Sequence, residues 1–176
     1  MGVPYVPVLG LVGTDLLARR DDMVLAPDPF GEGKVTVVAK AMRPDVAVFH
    51  AHKADRRGNV SFGYAVDAVI IAEASQQVIV TAEEVVERLD ESDAVGTFLP
   101  AILVDQIVHA PFGAHPGGLV GRYAPDRAAM EEYVAAARSD ASFAEYLERV
   151  VFGTRSHEDY LERFVPQYGG AVSHAL

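Results

Sequence analysis

The chain predicts an α/β fold: a mostly parallel sheet with crossover helices, followed by a C-terminal helical segment. Three observations predict it. Val35–Val38, Val46–Phe49 and Val78–Val80 are β-branched and continuous rather than alternating, as strands buried on both faces are. Ala65–Ala74, between the last two, is apolar nearly all round and reads as a buried crossover helix. Strand, helix, strand implies a parallel pair with a right-handed connection. From Ala124 onward the apolar spacing becomes helical. A length of 176 residues fits one domain, with sheet and loops over 1–123 and helices over 124–168.

Taken in order, Val3 to about Ala110 reads as short apolar strands separated by turns, and the three β-branched runs are expected to share one sheet. Thr81-Ala-Glu-Glu84 has the form of a capping box, which predicts a helix through about Leu89. Phe98–Val108 reads as an extended pair of strands bent at Pro100. Met130, Tyr133, Val134 and Ala137 fall at helical spacing, and Phe143, Tyr146, Leu147, Val150 and Val151 repeat it. Gly153 should stop that second helix, and Ser156 should cap a third carrying Tyr160, Leu161 and Phe164. The small-residue tail after Tyr168 is expected to fray.

Composition narrows the function classes. With 15 basic and 25 acidic residues the formal charge is −10, so a nucleic-acid surface is not expected. The chain has no cysteine, which removes disulfides and thiolate catalysis and suits a cytoplasmic location. The N-terminal residues lack the basic and apolar regions of a signal peptide, and no apolar run approaches the roughly 18 residues a membrane span needs. No membrane partner is expected.

The stretch Arg43–Gly63 carries the strongest site signal. A strand at Val46–Phe49 runs into a polar, glycine-bearing loop, and strand ends of this kind are where open α/β folds place ligands. Asp55, Arg56, Gly58 and Asn59 are the candidate binding residues, with Lys53 and Arg57 completing a basic cluster. His50 and His52 alternate, so both rings could hold a metal with Asp55 and either His109 or His115. The other readings are a hydrogen-bonded structural role and direct substrate contact. A second candidate is the stiff Ala110–Gly117 block, whose Phe112, Gly113 and His115 either face a site or merely lead into the helices. Asp105, ending an apolar segment, reads as a turn cap or an arginine partner.

Other signals fail on their details. Gly31-Glu-Gly-Lys34 resembles the end of a phosphate-binding loop, but Asp28 replaces its first glycine and Val35 its hydroxyl residue. Gly117-Gly-Leu-Val-Gly121 follows Pro116 rather than a strand, and no G-x-S-x-G elbow is present.

The block His50-Ala-His-Lys-Ala-Asp-Arg-Arg-Gly-Asn59 resembles the A-D-x-x-G-N segment of family I coenzyme A transferase alpha subunits. Gly2-Val-Pro-Tyr-Val-Pro, Gly13-Thr-Asp-Leu-Leu17, Asp28-Pro-Phe30, Arg43-Pro-Asp-Val46, Val80-Thr-Ala-Glu-Glu84, Leu99-Pro-Ala-Ile102 and Ala110-Pro-Phe-Gly-Ala-His-Pro116 follow in the familiar order. The chain is thereby similar, over about residues 2 to 168, to the alpha subunits of glutaconate CoA-transferase and of related steroid-ring-degrading proteins. The resemblance implies an α/β fold, a beta-subunit partner, and CoA exchange between an acyl-CoA and a carboxylic acid. A glutamate would attack the thioester and carry CoA in turn, with backbone amides stabilising each oxyanion. The coenzyme A thioester would then be substrate, with no permanently bound cofactor and no metal.

Such subunits carry a further segment ahead of the part matching Gly2, holding a glycine-rich loop. The nucleophilic glutamate of the family lies in that segment or on the beta subunit, so it is expected outside this chain. Glu73, Glu83 and Glu84 fall in predicted helices with ordinary solvated or structural roles, and Glu32 lies in a turn without a matching context. Two alternatives remain: an acyl-CoA hydrolase of the ring-degrading type, and a catalytically silent binding or assembly module.

Overall fold

The computed structural model of the chain describes residues 3–31 and 33–166, so Glu32 and the tail after Tyr168 lie outside the described residues. The chain divides into two compact units. One holds the residues up to Asp45 together with Ala74–Gln76; the other holds Val46–Glu73 and the chain from Gln77 on.

The first unit is a three-stranded antiparallel sheet. Its strands are β1 (Tyr5–Val8), β2 (Met23–Pro27) and β3 (Val35–Lys40), in the order β1-β3-β2, with the short helix α1 (Asp15–Arg19) between the first two. Val35–Val38 therefore does not share a sheet with the other β-branched runs. Only Val37 of that strand is fully buried, so its continuous apolar character does not reflect burial on both faces.

The second unit is built on β4 (Val46–Asp55), β5 (Val60–Ser61), helix α2 (Ala68–Ala74), β6 (Gln77–Val86), β7 (Phe98–Leu99) and β8 (Gln106–His109). The five strands form one mixed sheet in the order β7-β5-β4-β6-β8. Its long ladders are parallel: Val46 to Asp55 runs beside Gln77 to Val86, and Ile79 to Ala82 beside Gln106 to His109. The expected parallel pair and its crossover helix are present. Ala47, Ala51, Val78, Val80 and Ala82 form one buried cluster with Ala68 and Ala72 of α2. Alanine on both sides of this interface lets helix and sheet approach closely.

Two expectations need correction. Thr81-Ala-Glu-Glu84 starts no helix, because it lies inside β6. Burial at Val78, Val80 and Ala82 has the period of two that a strand requires, and pairing along β4 outweighs a local capping signal. Phe98–Val108 is not one bent pair of strands. Phe98–Leu99 joins β5, a 3₁₀ turn follows at Ala101–Leu103, and Gln106–His109 joins β6 on the opposite side of the sheet.

The C-terminal helices follow the sequence reading. They are α3 (Arg127–Ala136), α4 (Asp140–Leu147) with a π-helical continuation over Glu148–Phe152, and α5 (His157–Phe164). Asp126, Ser139 and Ser156 cap them, accepting from the N–H groups of Ala129, Ser142 and Asp159. The expected helix boundary near residue 124 falls within the second unit.

The alanine interface yields a test. Ala51 has no exposed surface, so Ala51→Leu should force strand and helix apart and cost about 1–3 kcal/mol. A urea midpoint that falls with an unchanged slope would register it; an unchanged midpoint would show that the interface has room to spare.

Candidate functional site

The strand β4 continues past Phe49 through both histidines and ends at Asp55, so the site loop is the short turn Arg56–Asn59 leading into β5. Asp55 is fully buried, yet it makes no ion pair among the described residues. Its carboxylate accepts instead from the Arg57 N–H at 2.9 Å, the Asn59 N–H at 2.9 Å, the Asn59 side-chain amide at 2.9 Å and the Leu89 N–H at 3.0 Å. Burial pushes this carboxyl up, but the Asn59 side chain and the three backbone donors together hold it below the ordinary carboxylate value. The Asn59 carbonyl oxygen accepts the Ala101 N–H at 3.0 Å, fastening the turn to the 3₁₀ segment. Gly58 has φ of 103°, and a Cβ there would lie 3.3 Å from that of Ala101.

Asp55, Arg56, Arg57 and Gly58, at the carboxyl end of β4, line one wall of a crevice of about 620 Å³. Val85, Asp105, Gln106, Ile107 and His109 contribute to the rest of its wall. Arg56 pairs with Glu87 at 3.1 Å, both well exposed, while Arg57 is exposed and has no ion-pair partner among the described residues. Asp105 exchanges hydrogen bonds with the backbone of Val78, its side chain accepting at 2.7 Å and its N–H donating at 2.9 Å.

Phe112, Gly113 and His115 do not line this crevice. β8 stops at His109, opposite Ala82 and short of the ends of β4 and β6, so the following loop leaves the sheet at the level of His50. There it closes on Glu83, a residue that the predicted helix had hidden. The Glu83 side chain is only 8% exposed. One oxygen accepts from His50 Nε2 at 2.7 Å and from the Tyr123 hydroxyl at 2.7 Å; the other accepts the Phe112 N–H at 2.9 Å. Tyr123 in turn accepts the Ala114 N–H at 3.0 Å. Burial first, and then the bond to Glu83, push the Tyr123 phenol far up, so it remains a neutral donor at every ordinary pH. A Cβ on Gly113 would come within 2.6 Å of the His50 ring, so only glycine lets the loop lie there. Phe112 has φ of 55°, a conformation that costs a bulky residue about 1–3 kcal/mol.

The two histidines have separate partners. His50 Nδ1 lies 2.8 Å from the Thr81 hydroxyl. His52 Nδ1 accepts the Gly63 N–H at 3.0 Å, which leaves Nε2 to donate to the Val120 carbonyl at 2.8 Å. Among the described residues no group of three or more His, Asp or Glu side chains could hold a metal. His115 is nearly buried, with Nδ1 2.7 Å from the Tyr160 hydroxyl and Nε2 3.3 Å from Asp126. Lys53 and Arg122 both pair with Glu84, at 3.3 and 3.1 Å.

The A-D-x-x-G-N segment thus forms a glycine turn braced by a buried aspartate at the end of β4. The family profile of coenzyme A transferases matches residues 1–110. The chain belongs to the coenzyme A transferase family. One subunit of the glutaconate CoA-transferase of Acidaminococcus fermentans is 30% identical over 93% of this chain and 56% of its own length. The crystal structure of glutaconate coenzyme A-transferase from that organism superposes with a TM-score of 0.83 at 27% identity, covering 94% of this chain and 58% of that one. The decarboxylase AibA/AibB matches at 35% identity and a TM-score of 0.73, over 85% of this chain and 54% of that chain. The chain thus spans little more than half the length of these relatives.

The Asp55 cluster predicts a stability dependent on acid. Its folded carboxyl titrates below the ordinary value of 3.8. Its contribution is therefore complete above that value and lost as pH falls through the lower, folded one. Asp55→Asn turns an amide toward N–H donors and should cost about 2–3 kcal/mol at neutral pH. The gap between wild type and variant, followed by denaturant unfolding, should shrink from about pH 6 to about pH 2. A gap that stays constant would mean that the charge on Asp55 contributes nothing.

Proposed function

We propose that this chain is the alpha-type part of an enzyme that moves CoA between an acyl-CoA thioester and a carboxylic acid. In this reading the beta subunit is its partner, the location is cytoplasmic, and the nucleophilic glutamate comes from outside the chain. The observation that carries the reading is the crevice lined by the turn at the end of β4 and by β8, where Arg57 stands beside a glycine turn without an ionic partner among the described residues. Membership of the coenzyme A transferase family supports the chemistry.

Each site residue then takes a role suited to its surroundings. Arg57, with Arg56 beside it, meets the phosphates of CoA as a planar multiple donor. Gly58 keeps the turn low enough for a ligand to approach. Asp55 and Asn59 hold the turn in shape, since their polar atoms are engaged with each other and with the backbone. Phe112, Gly113 and His115 belong to the loop that would border the acyl side. Among the carboxylates near the site, Glu83 has both oxygens bonded and Glu84 is paired with Lys53 and Arg122, so neither stands free to attack.

The match to the decarboxylase AibA/AibB favours a second reading, in which the same scaffold removes CO₂ from an acyl-CoA. Release of CO₂ without CoA exchange would select it.

Two measurements test the transfer reading. The chain alone should show no CoA exchange between propionyl-CoA and acetate, whereas its complex with a beta-type subunit should exchange them and accumulate a glutamyl-CoA thioester. Robust exchange by the isolated chain would place the nucleophile within it. Arg57→Ala should weaken CoA binding about tenfold in titration calorimetry, as expected for one lost charge-assisted contact. The loss should shrink in high salt; unchanged affinity would remove Arg57 from the phosphate site.

A further inference from the structure

We propose that Glu83 is a positioning residue of the transfer site: its carboxylate fixes the Ala110–Ala114 loop in the shape that the reacting complex uses. This rests on the transfer reading above and extends it to a residue that the crevice does not contain.

Glu83 has already committed most of its acceptor sites. An ionised carboxylate has only acceptor sites, and here they take His50 N–H, Tyr123 O–H and Phe112 N–H at 2.7, 2.7 and 2.9 Å. Three donors on a side chain this buried fill three of its four or so acceptor sites and engage both oxygens. Attack on a thioester would also require a reacting oxygen about 3–3.5 Å from the carbon. Glu83 therefore fits poorly as a nucleophile and well as an anchor.

What it anchors is unusual. Phe112 has a left-handed backbone, and its N–H is the group that Glu83 holds. One residue on, Gly113 lies against the His50 ring, and one further, the Ala114 N–H reaches Glu83 through the Tyr123 hydroxyl. The loop is thus gripped at three successive residues by one carboxylate and its two side-chain partners. It follows directly from β8, whose Gln106, Ile107 and His109 line the crevice. Backbone strain that surrounding bonds over-determine is a mark of functional sites.

The test replaces Glu83→Gln in the full chain and reads amide hydrogen exchange residue by residue. Whichever way the new amide turns, its NH₂ meets a donor: Phe112 N–H on one side, Tyr123 O–H and His50 on the other. Exchange at Phe112 or Ala114 should rise about tenfold or more while Ala51 in β4 is unchanged. Tyr123→Phe should loosen Ala114 alone and serves if Glu83→Gln does not fold. In the complex with a beta-type subunit, Glu83→Gln should lower kcat about tenfold with KM for propionyl-CoA within about twofold. Its glutamyl-CoA thioester should form at the same residue as in wild type. Unaltered exchange at both amides in a folded variant, or a CoA thioester on Glu83 itself, would overturn the proposal. If the wild-type complex exchanges no CoA while the loop amides respond as expected, the transfer reading falls and the anchoring of the loop by Glu83 stands.

Discussion

The end of β4 depends on one buried carboxylate. Asp55 closes the strand, and the turn after it leaves backbone N–H groups with no ladder to join. The carboxylate takes those of Arg57 and Asn59, and then reaches beyond β6 to take that of Leu89. A single side chain thereby joins the ends of two parallel strands and the start of β5. Burying a carboxylate without a cation is costly unless hydrogen bonds replace its water, and here four donors do so. The position of Arg56 and Arg57 at the crevice follows from this, since both extend from the turn that Asp55 braces.

Glu83 applies the same physics to another end. Both carboxylates are buried and hold several donors, four on Asp55 and three on Glu83, but Asp55 serves a turn within the sheet, whereas Glu83 serves a loop that follows a different strand. Its partners come from β4, from the loop after β8 and from Tyr123, so it fastens elements distant in the chain. In each case the acid's chemistry is set by what it accepts. A carboxylate that holds several donors is a poor nucleophile and a good brace, and that holds whatever reaction the site performs.

These two residues also mark what could be read from the sequence. The first halves of β4 and β6 were legible because Val46–Phe49 and Val78–Val80 are continuous, β-branched runs and the apolar stretch between them has helical length. The helices after Ala124 were legible from spacing, and the cap of the last from Ser156. Asp55 stood out because it lies in the polar, glycine-bearing stretch after an apolar strand, but as a candidate binding residue and not as a brace. Glu83 did not. The local pattern T-A-E-E speaks for a helix start, and only the ladder with β4, a non-local pairing, makes it strand. Its bond to Tyr123 spans forty residues, and no periodicity announces a contact of that kind. The likeness of Val35–Val38 to a buried strand misled for a related reason: β-branched character reports a preference for extended backbone, not which sheet receives it.

A formal charge of −10 looks unsuited to a polyanionic ligand such as CoA, yet the distribution of charge resolves the difficulty. Exposed charges more than about 10 Å apart are largely screened at moderate salt, so a ligand senses its immediate neighbours rather than the total. Many of the acidic side chains are already paired: Asp22 with Arg20, Glu84 with Lys53 and Arg122, Asp90 with Arg88, and Asp159 with Arg163. Asp55 sits at the crevice, but its charge is spread over inward-facing N–H groups. On the side of the glycine turn the mouth presents the Arg56–Arg57 pair, while Asp105 on the β8 side is held by the Val78 N–H. One of these guanidinium groups is tied loosely to an exposed glutamate, a pairing worth little in water. An anion can therefore displace that glutamate at small cost, and an acidic chain keeps a local cationic edge where the parallel strands end.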